Sequence, residues 1–149
     1  MLRTGSEEET IALGERLARK LPRRAVVVLI GNLGAGKTTL AKGIVKGLGA
    51  AEPDEVSSPT FTLIHEYPLA GSKAGAQEPR VYHVDLYRLD DVRGAATLGL
   101  EELFEKEAVV LIEWGERFPE LLPDERIEVR IEAGDGDQRE IAVTPATYE

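Results

Sequence analysis

The sequence has 149 residues, the size of one ordinary globular domain, and its 42% hydrophobic residues can fill a single core. We therefore expect one domain over residues 1–149. Eighteen basic against twenty-seven acidic side chains give a net charge of -9, so we expect no direct, tight binding to DNA or to another nucleic acid. The chain has no cysteine and no apolar run of about eighteen residues, so we expect a cytoplasmic protein without disulfides, signal peptide or membrane span.

The first third of the chain predicts a helix, a buried strand and a second helix. Ser6 begins a capping box, and apolar residues then recur at helical spacing, so the first helix should end at about Lys20. Residues 25–30 are continuously aliphatic, as in a strand buried on both faces of a parallel sheet, and they lead directly into Gly31. The next segment has one apolar face, which predicts a second helix that ends at Gly49.

The rest of the chain departs from a simple alternation of strands and helices. Segments 61–68 and 80–87 have strand patterns, and a Gly/Ala/Ser-rich loop at 70–79 joins them, which predicts a hairpin and a mixed sheet. The remaining predicted elements are a short helix, an aliphatic strand, another short helix and a closing hairpin, at 98–106, 108–112, 115–122 and 127–143. The whole pattern predicts an α/β fold with about six strands and three or four helices.

The most informative motif is Gly-Asn-Leu-Gly-Ala-Gly-Lys-Thr at 31–38, which satisfies G-x-x-x-x-G-K-[ST] between a predicted strand and a predicted helix. Its glycines let the backbone curl so that N–H groups face phosphate oxygens, and the helix N-terminus adds positive potential. Lys37 supplies a cation for the terminal phosphates, the Thr38 hydroxyl is placed to ligate magnesium, and Thr39 can add a donor. Because the motif and its context agree, the sequence predicts nucleotide binding.

Two carboxylates are candidates for the acidic residue that a P-loop enzyme needs near its metal ion. Glu113 follows an uninterrupted aliphatic strand, and Asp85 follows an alternating one. We assign Glu113 as the direct or water-mediated magnesium partner, and Asp85 as a second acid that orients metal-bound or attacking water. The division of roles stays open, and either residue has the alternative of a solvated side chain or a helix cap at a strand end.

Thr60 lies in the segment Ser-Ser-Pro-Thr-Phe-Thr at 57–62, where Pro59 prevents a helix from running into it. A contact from its hydroxyl or backbone to magnesium or the γ-phosphate would order this loop with ATP and release it after hydrolysis. An ordinary Ser/Thr turn that enters a strand is an equal alternative.

The two histidines, His65 and His83, lie on strand-like segments without a second metal-type ligand at a diagnostic spacing. We therefore interpret them as structural or surface residues and predict no zinc site. Arg88 is a candidate for stabilising transition-state charge, but nothing in the sequence shows where it points.

As a whole, the chain resembles the TsaE (YjeE) family of P-loop ATPases, which are required for threonylcarbamoyladenosine formation in tRNA. Five stretches carry the resemblance in order: Glu-Thr-Ile-Ala-Leu-Gly at 9–14, the loop at 31–40, Ser-Pro-Thr-Phe at 58–61, Asp-Leu-Tyr-Arg at 85–88 and Glu-Trp at 113–114. The P-loop alone indicates only a very large superfamily, whereas the later stretches are more specific. The resemblance extends without a gap from about Thr10 to Pro123.

The resemblance implies a three-layer P-loop NTPase fold with a mixed parallel and antiparallel sheet flanked by helices. It implies that Thr38 and Glu113 bind Mg²⁺, and that Asp85 also belongs to the functional site. With Thr60 added from the pattern above, the candidate nucleotide-binding residues are Thr10, Leu33, Gly34, Ala35, Gly36, Lys37, Thr38, Thr39, Thr60 and Trp114. The candidate catalytic residues are Lys37, Asp85 and Glu113. By residue type alone, an aromatic such as Trp114 at a strand end is more often core material.

The implied activity is ATP hydrolysis in concert with a TsaB–TsaD complex, which threonylcarbamoylates the adenosine beside the anticodon. The chain would contact tRNA indirectly, through that complex. Two departures from the family are Asn32, where an acidic residue is common, and a longer or more Gly/Ala-rich loop at 70–79. Neither departure removes a phosphate or metal ligand.

Two other functional classes remain open. A small-molecule kinase shares the P-loop, although the sequence has no arginine-rich lid segment and no separate acceptor domain. A nucleotide-dependent binding module would cycle its conformation without fast hydrolysis, with Thr60 as the sensor. Adenine is the expected base because no Asn-Lys-x-Asp segment is present to read guanine. We expect slow hydrolysis by the chain alone and stimulation by its partners.

Overall fold

The computed structural model of the protein describes residues 1–57, 59, 63–68, 80–96 and 98–149. Within these ranges the strands are β1 (Leu2–Thr4), β2 (Ala25–Ile30), β3 (Ile64–Pro68), β4 (Arg80–Asp85), β5 (Val109–Glu113), β6 (Ile127–Ala133) and β7 (Arg139–Thr144). The α-helices of the same ranges are α1 (Glu7–Lys20), α2 (Lys37–Gly47), α3 (Val92–Ala96) and α4 (Leu100–Glu105). Short turns of 3-10 helix occur at Pro53–Glu55, Gly115–Arg117, Pro119–Leu121 and Ala146–Tyr148.

The strands form one mixed sheet in the order β1-β7-β6-β2-β5-β4-β3. The four strands β6, β2, β5 and β4 are parallel, whereas β7, β1 and β3 are added antiparallel at the two sides. This arrangement confirms the predicted mixed sheet. In the register of the parallel strands, Glu113 pairs with Asp85 on one side and with Leu29 on the other. Both acidic residues therefore lie at the carboxyl edge of the sheet, where β2 leads into the glycine-rich loop.

Two apolar clusters, one on each face of the sheet, make the fold three-layered. Side chains alternate along β2, so that Val27 and Leu29 pack with apolar residues of α1 and α2, whereas Val28 faces the opposite cluster. That opposite cluster contains Leu100 of α4 and Phe118 of the 3-10 turns. The predicted arrangement of a sheet flanked by helices is therefore confirmed. No helix in the described ranges is both long enough and apolar enough to cross a bilayer.

The helices α1 and α2 cross in such close contact that glycine is required at the crossing. A Cβ atom added to Gly43 of α2 would lie 2.1 Å from the carbonyl oxygen of Ile11 in α1. A Cβ atom on Gly14 of α1 would lie 2.6 Å from the carbonyl oxygen of Leu40. Backbone lies on both sides of these contacts, so no side-chain rotation can relieve them.

We therefore expect Gly43→Ala to destabilise the protein by about 1–3 kcal/mol, because the helices must separate, although alanine favours a helix more than glycine does. Equilibrium urea unfolding measures the change. The matched control is Gly94→Ala in α3, where the nearest heavy atom to a new Cβ is a Leu89 methyl at 3.4 Å. That control should be neutral or slightly stabilising, and a Gly43→Ala protein as stable as the parent would show that the two helices are not held at this spacing.

Several predicted boundaries are confirmed, and others shift. The end of the first helix at Lys20 and the strand at 25–30 are as predicted. The strand predicted at 80–87 ends at Asp85, because the backbone N–H of Tyr87 turns back to donate to Asp85 Oδ1 at 2.9 Å. The strand predicted at 108–112 is found one residue later, as β5.

The short elements differ from the sequence predictions in four respects. The helix predicted at 115–122 is instead two 3-10 turns, because Pro119 disfavours helical backbone at Phe118, which adopts φ -133° and ψ 62°. The strand β1 was not predicted, because three residues are too few to show the alternation of apolar and polar residues that identifies a strand. Helix α3 was likewise not predicted, and the helix expected at 98–106 is the shorter α4. Segment 61–62, the loop at 70–79 and Thr60 lie outside the described residues.

Candidate functional site

The glycine-rich loop at 31–38 connects the central strand β2 to helix α2. Gly34 and Gly36 have φ values of 80° and 110°, a left-handed backbone that side chains with a Cβ rarely adopt. The N–H of Ala35 donates to the Asn32 carbonyl at 3.0 Å, so the loop curls into a compact turn. Leu33 is exposed at its tip, whereas Ala35 is buried beneath it. The loop thus has the strand–loop–helix setting and the curled backbone that its sequence predicts.

A cleft of about 410 Å³ opens beside this loop at the carboxyl edge of the sheet. It brings together most of the predicted site residues: Thr10, Leu33, Gly34, Gly36, Lys37, Thr38, Thr39, Asp85, Glu113 and Trp114. Ala35 does not line it, because its side chain is buried on the core side of the loop. Thr60 lies outside the described residues, so its place relative to the cleft stays a prediction.

Lys37 is the first residue of α2, and only 4% of it is exposed. Its Nζ donates to the carbonyl oxygen of Gly31 at 2.6 Å and lies 3.3 Å from the centroid of the Trp114 ring. Burial lowers the pKa of this ammonium below its usual value, while neighbouring carboxylates, Glu113 foremost, act in the opposite direction. The Lys37 ammonium is therefore stabilised by the Gly31 carbonyl, the face of the Trp114 ring and nearby carboxylates.

Thr38, Glu113 and His83 form a chain of hydrogen bonds behind the loop. The Thr38 hydroxyl donates to the Glu113 carboxylate, with oxygen–oxygen distances of 3.2 and 3.3 Å. His83 Nε2 lies 2.5 Å from Glu113 Oε2. Of the two interpretations that the sequence left for this histidine, a structural or a surface residue, its 0% exposure supports the structural one. Asp85 is also buried, and it pairs with Glu113 across the two strands.

The hydroxyl of Thr38 and the carboxylate of Glu113 fit the donor set of Mg²⁺. Adjacent ligands of an octahedral Mg²⁺ ion lie about 2.9 Å apart, since each lies 2.0–2.1 Å from the metal. The two protein oxygens are already within a few tenths of an ångström of that spacing. In the described ranges no group of three or more His, Cys, Asp or Glu side chains is placed to hold a metal ion. The fit is limited to these two oxygens, and at Mg²⁺ sites of this kind water and substrate phosphates fill the other positions.

Trp114 lies directly after β5, in an unusual backbone conformation. Its φ of 65° places a bulky side chain in the left-handed region, which costs on the order of 1–3 kcal/mol and is typically found at functional sites. The indole ring packs against Tyr87 with a centroid distance of 5.1 Å and forms a wall of the cleft. Trp114 therefore lines the cleft and also packs against the core cluster that contains Phe118, and its role at the site stays a prediction.

Thr10, which also lines the cleft, is 2% exposed on the first turns of α1. Its hydroxyl donates to the Ser6 carbonyl at 3.1 Å and is 2.7 Å from the Thr4 hydroxyl. These bonds hold the Thr10 side chain at the start of the helix. Glu7, on the same helix, lines the cleft as well and was not predicted.

Arg139 is the main site residue that the sequence did not indicate. It begins β7, and its Nε donates to the Ala35 carbonyl of the loop at 2.7 Å. Its Nη1 donates to the carbonyls of Gly136 and Gln138, so the guanidinium ties the loop to the β6–β7 turn. Since β6 runs parallel to β2, this turn lies at the same edge of the sheet as the loop. No local pattern links residues so distant in sequence, and only the strand order could have indicated the contact.

Comparison with known proteins gives consistent matches over most of the chain. The family model described as "Threonylcarbamoyl adenosine biosynthesis protein TsaE" matches residues 4–141. The tRNA threonylcarbamoyladenosine biosynthesis protein TsaE of Bacillus subtilis (strain 168) is 41% identical over 142 residues, which are 95% of this chain and 83% of that protein. The protein of the same name from Haemophilus influenzae is 37% identical over 148 residues, which are 99% of this chain and 84% of the relative.

A solved structure matches the fold as well as the sequence. The crystal structure of Bacillus subtilis YdiB aligns with a TM-score of 0.70 and 36% sequence identity. The alignment covers 94% of this chain and 80% of that one. The family match at 4–141 includes the whole cleft, from Glu7 on α1 to Arg139 on β7.

Proposed function

We propose a function from the premise that this chain belongs to the TsaE family of threonylcarbamoyl adenosine biosynthesis proteins. In this proposal the single domain binds ATP with Mg²⁺ in the cleft and hydrolyses it, and hydrolysis supports threonylcarbamoylation of the adenosine beside the anticodon of tRNA. The observation that carries it is the convergence of Lys37, Thr38 and Glu113 at the carboxyl edge of the sheet, beside a curled glycine-rich loop. The cytoplasm, where tRNA is modified, is the compartment that this role requires.

The loop and Lys37 supply the phosphate-binding groups. Backbone N–H groups of the curled loop and the N-terminus of α2 favour phosphate oxygens at this position. The Lys37 ammonium has three N–H donors and gives one to Gly31, so the others are available for the β- and γ-phosphate oxygens. Lys37 is 4% exposed against the Trp114 ring, and limited contact with water strengthens the attraction between its charge and a phosphate.

Thr38 and Glu113 would hold the metal ion, and Asp85 would orient water. When bound, Mg²⁺ neutralises charge on the β- and γ-phosphate oxygens. The Asp85 carboxylate accepts a hydrogen bond from the N–H of Tyr87, and Asp85 pairs with Glu113 across the two strands, which supports a role for it as the acceptor of a hydrogen bond from the attacking water. We assign Glu113 rather than Asp85 as the metal partner, because the Thr38 hydroxyl is hydrogen-bonded to the Glu113 carboxylate.

A partner complex would complete the site. Arg139, which lines the cleft, donates to the backbone carbonyl of Ala35, and Arg117 donates to that of Tyr87, so these two guanidiniums are held by main chain. A transition state whose charge is incompletely stabilised is reached slowly, and a partner that supplies a cation accelerates it. We therefore propose a TsaB–TsaD complex as the partner and tRNA as a ligand of the complex. The net charge of -9 supports indirect rather than direct tRNA contact.

The test is phosphate release from ATP by the purified chain, alone and with TsaB, TsaD and tRNA. We expect slow hydrolysis alone and an increase of at least about tenfold with the partners. Competition by GTP should be weak if the base is adenine. ATP binding without stimulation would remove the partner role and retain the nucleotide site, whereas absence of ATP binding would overturn the proposed function.

A further inference from the structure

His83 is a fully buried histidine beside the carboxylate that the proposed metal site uses. It lies on β4, where it pairs with Leu111 of β5, two residues before Glu113. Residues two apart on a strand share one face of the sheet, so the imidazole reaches diagonally to the Glu113 side chain. The distance from Nε2 to Glu113 Oε2 is 2.5 Å, which is a short hydrogen bond.

The two nitrogens of the His83 ring have different surroundings. An ionised carboxylate only accepts hydrogen bonds, so a pair with ionised Glu113 requires that Nε2 of His83 carry the proton and donate it. The other ring nitrogen, Nδ1, is buried and has no hydrogen-bond partner among the described residues. A polar ring with an unsatisfied nitrogen is a costly way to fill a core position that leucine would fill without penalty. Among the described residues, the bond to Glu113 is therefore the polar interaction that accounts for a histidine at this buried position.

We propose that His83 is a positioning residue, which fixes the Glu113 carboxylate in the orientation that Thr38 and Mg²⁺ need, an inference that rests on the proposed function. Glu113 Oε2 receives hydrogen bonds from both His83 and Thr38, so its plane is held from two sides. Without the histidine donor, the carboxylate is free to rotate away from the Thr38 hydroxyl. Removal of a hydrogen bond behind a metal ligand typically costs about 10–100-fold in metal affinity.

The test compares His83→Leu, which removes the donor at similar volume, with His83→Gln, whose amide can place an N–H near the position of Nε2. Isothermal titration calorimetry measures the affinity for ATP at a series of Mg²⁺ concentrations. The quantity compared is the Mg²⁺ concentration at which half of the Mg²⁺-dependent increase in ATP affinity is reached. We expect this concentration to rise about 10–100-fold in His83→Leu and to recover largely in His83→Gln. ATP binding in excess EDTA should be the same in all variants, because the phosphate-binding loop is unchanged.

The matched control is His65→Leu. His65 is the antiparallel neighbour of His83 on β3, and its Nδ1 bonds to the Tyr67 hydroxyl at 3.3 Å, away from the cleft. The His65→Leu variant should have the same Mg²⁺ requirement as the parent. A parent-like Mg²⁺ requirement in His83→Leu would overturn the positioning role, whereas a parent protein without Mg²⁺-dependent binding would overturn the proposed function itself.

A second measurement keeps the inference testable if His83→Leu does not fold. Two-bond ¹⁵N–¹H spectra of the unmodified protein report which nitrogen of each imidazole carries the proton. We expect the Nε2–H form for His83, with the strongly deshielded proton of a short hydrogen bond. A neutral ring protonated at Nδ1 would contradict donation to Glu113 and would overturn the proposal.

Discussion

Replacing Lys37 with alanine should lower ATP hydrolysis by about 10²–10³-fold, with or without partner proteins, because the variant loses the ammonium whose N–H donors we propose contact the terminal phosphates. The side chain is 4% exposed and lies between the Gly31 carbonyl and the Trp114 ring. Phosphate release under saturating ATP, with protein purified away from host ATPases, measures the change. The fold should persist, since burial of this ammonium lowers its pKa and so opposes its charged form.

Lys42→Ala is the control for this substitution. Lys42 lies on the same helix but does not line the cleft, so its loss should leave hydrolysis within about twofold of the parent. Circular dichroism and thermal unfolding of both variants separate loss of activity from loss of structure. Retention of full activity by a folded Lys37→Ala protein would overturn the proposed site.

The features of the site that the sequence predicted are those encoded locally. The loop motif fixes glycine at Gly36, whereas Gly34 occupies one of its variable positions, and both residues have the left-handed φ values that favour glycine. The two acidic residues follow hydrophobic strands, and parallel strands necessarily end at one edge of a sheet. The proximity of Asp85 and Glu113 could therefore be predicted from the hydrophobic pattern of their strands and from their positions at the strand ends.

The features that the sequence did not predict depend on strand order and register. Arg139 meets the loop because β6 and β7 lie beside β2, which no short-range pattern encodes. The role of His83 depends on a diagonal register with Glu113, and a histidine in a strand pattern is most often only a core residue. The helix expected at 115–122 failed for a local reason, because the residue before Pro119 cannot readily be helical.

Replacing Glu113 with glutamine should have the second large effect, a loss of about 10²–10³-fold in hydrolysis together with a higher Mg²⁺ requirement. Glutamine keeps the size and can still bond with Thr38 and His83, so the change isolates the negative charge. The carboxylate raises the pKa of Lys37, so its removal should lower that pKa further. ATP affinity in EDTA should not fall, since a negative charge near the phosphates is removed. Calorimetry with and without Mg²⁺, followed by phosphate release, measures each effect.

Asp85→Asn is the comparison that separates the two acids. If Asp85 orients water, this variant should hydrolyse ATP slowly while its Mg²⁺ requirement stays close to that of the parent. The two residues are Cα partners on β4 and β5 and are equally buried, so differences between the variants reflect chemistry and not exposure. A raised Mg²⁺ requirement in Asp85→Asn with a parent-like one in Glu113→Gln would reverse the assignment, and make Asp85 the metal partner.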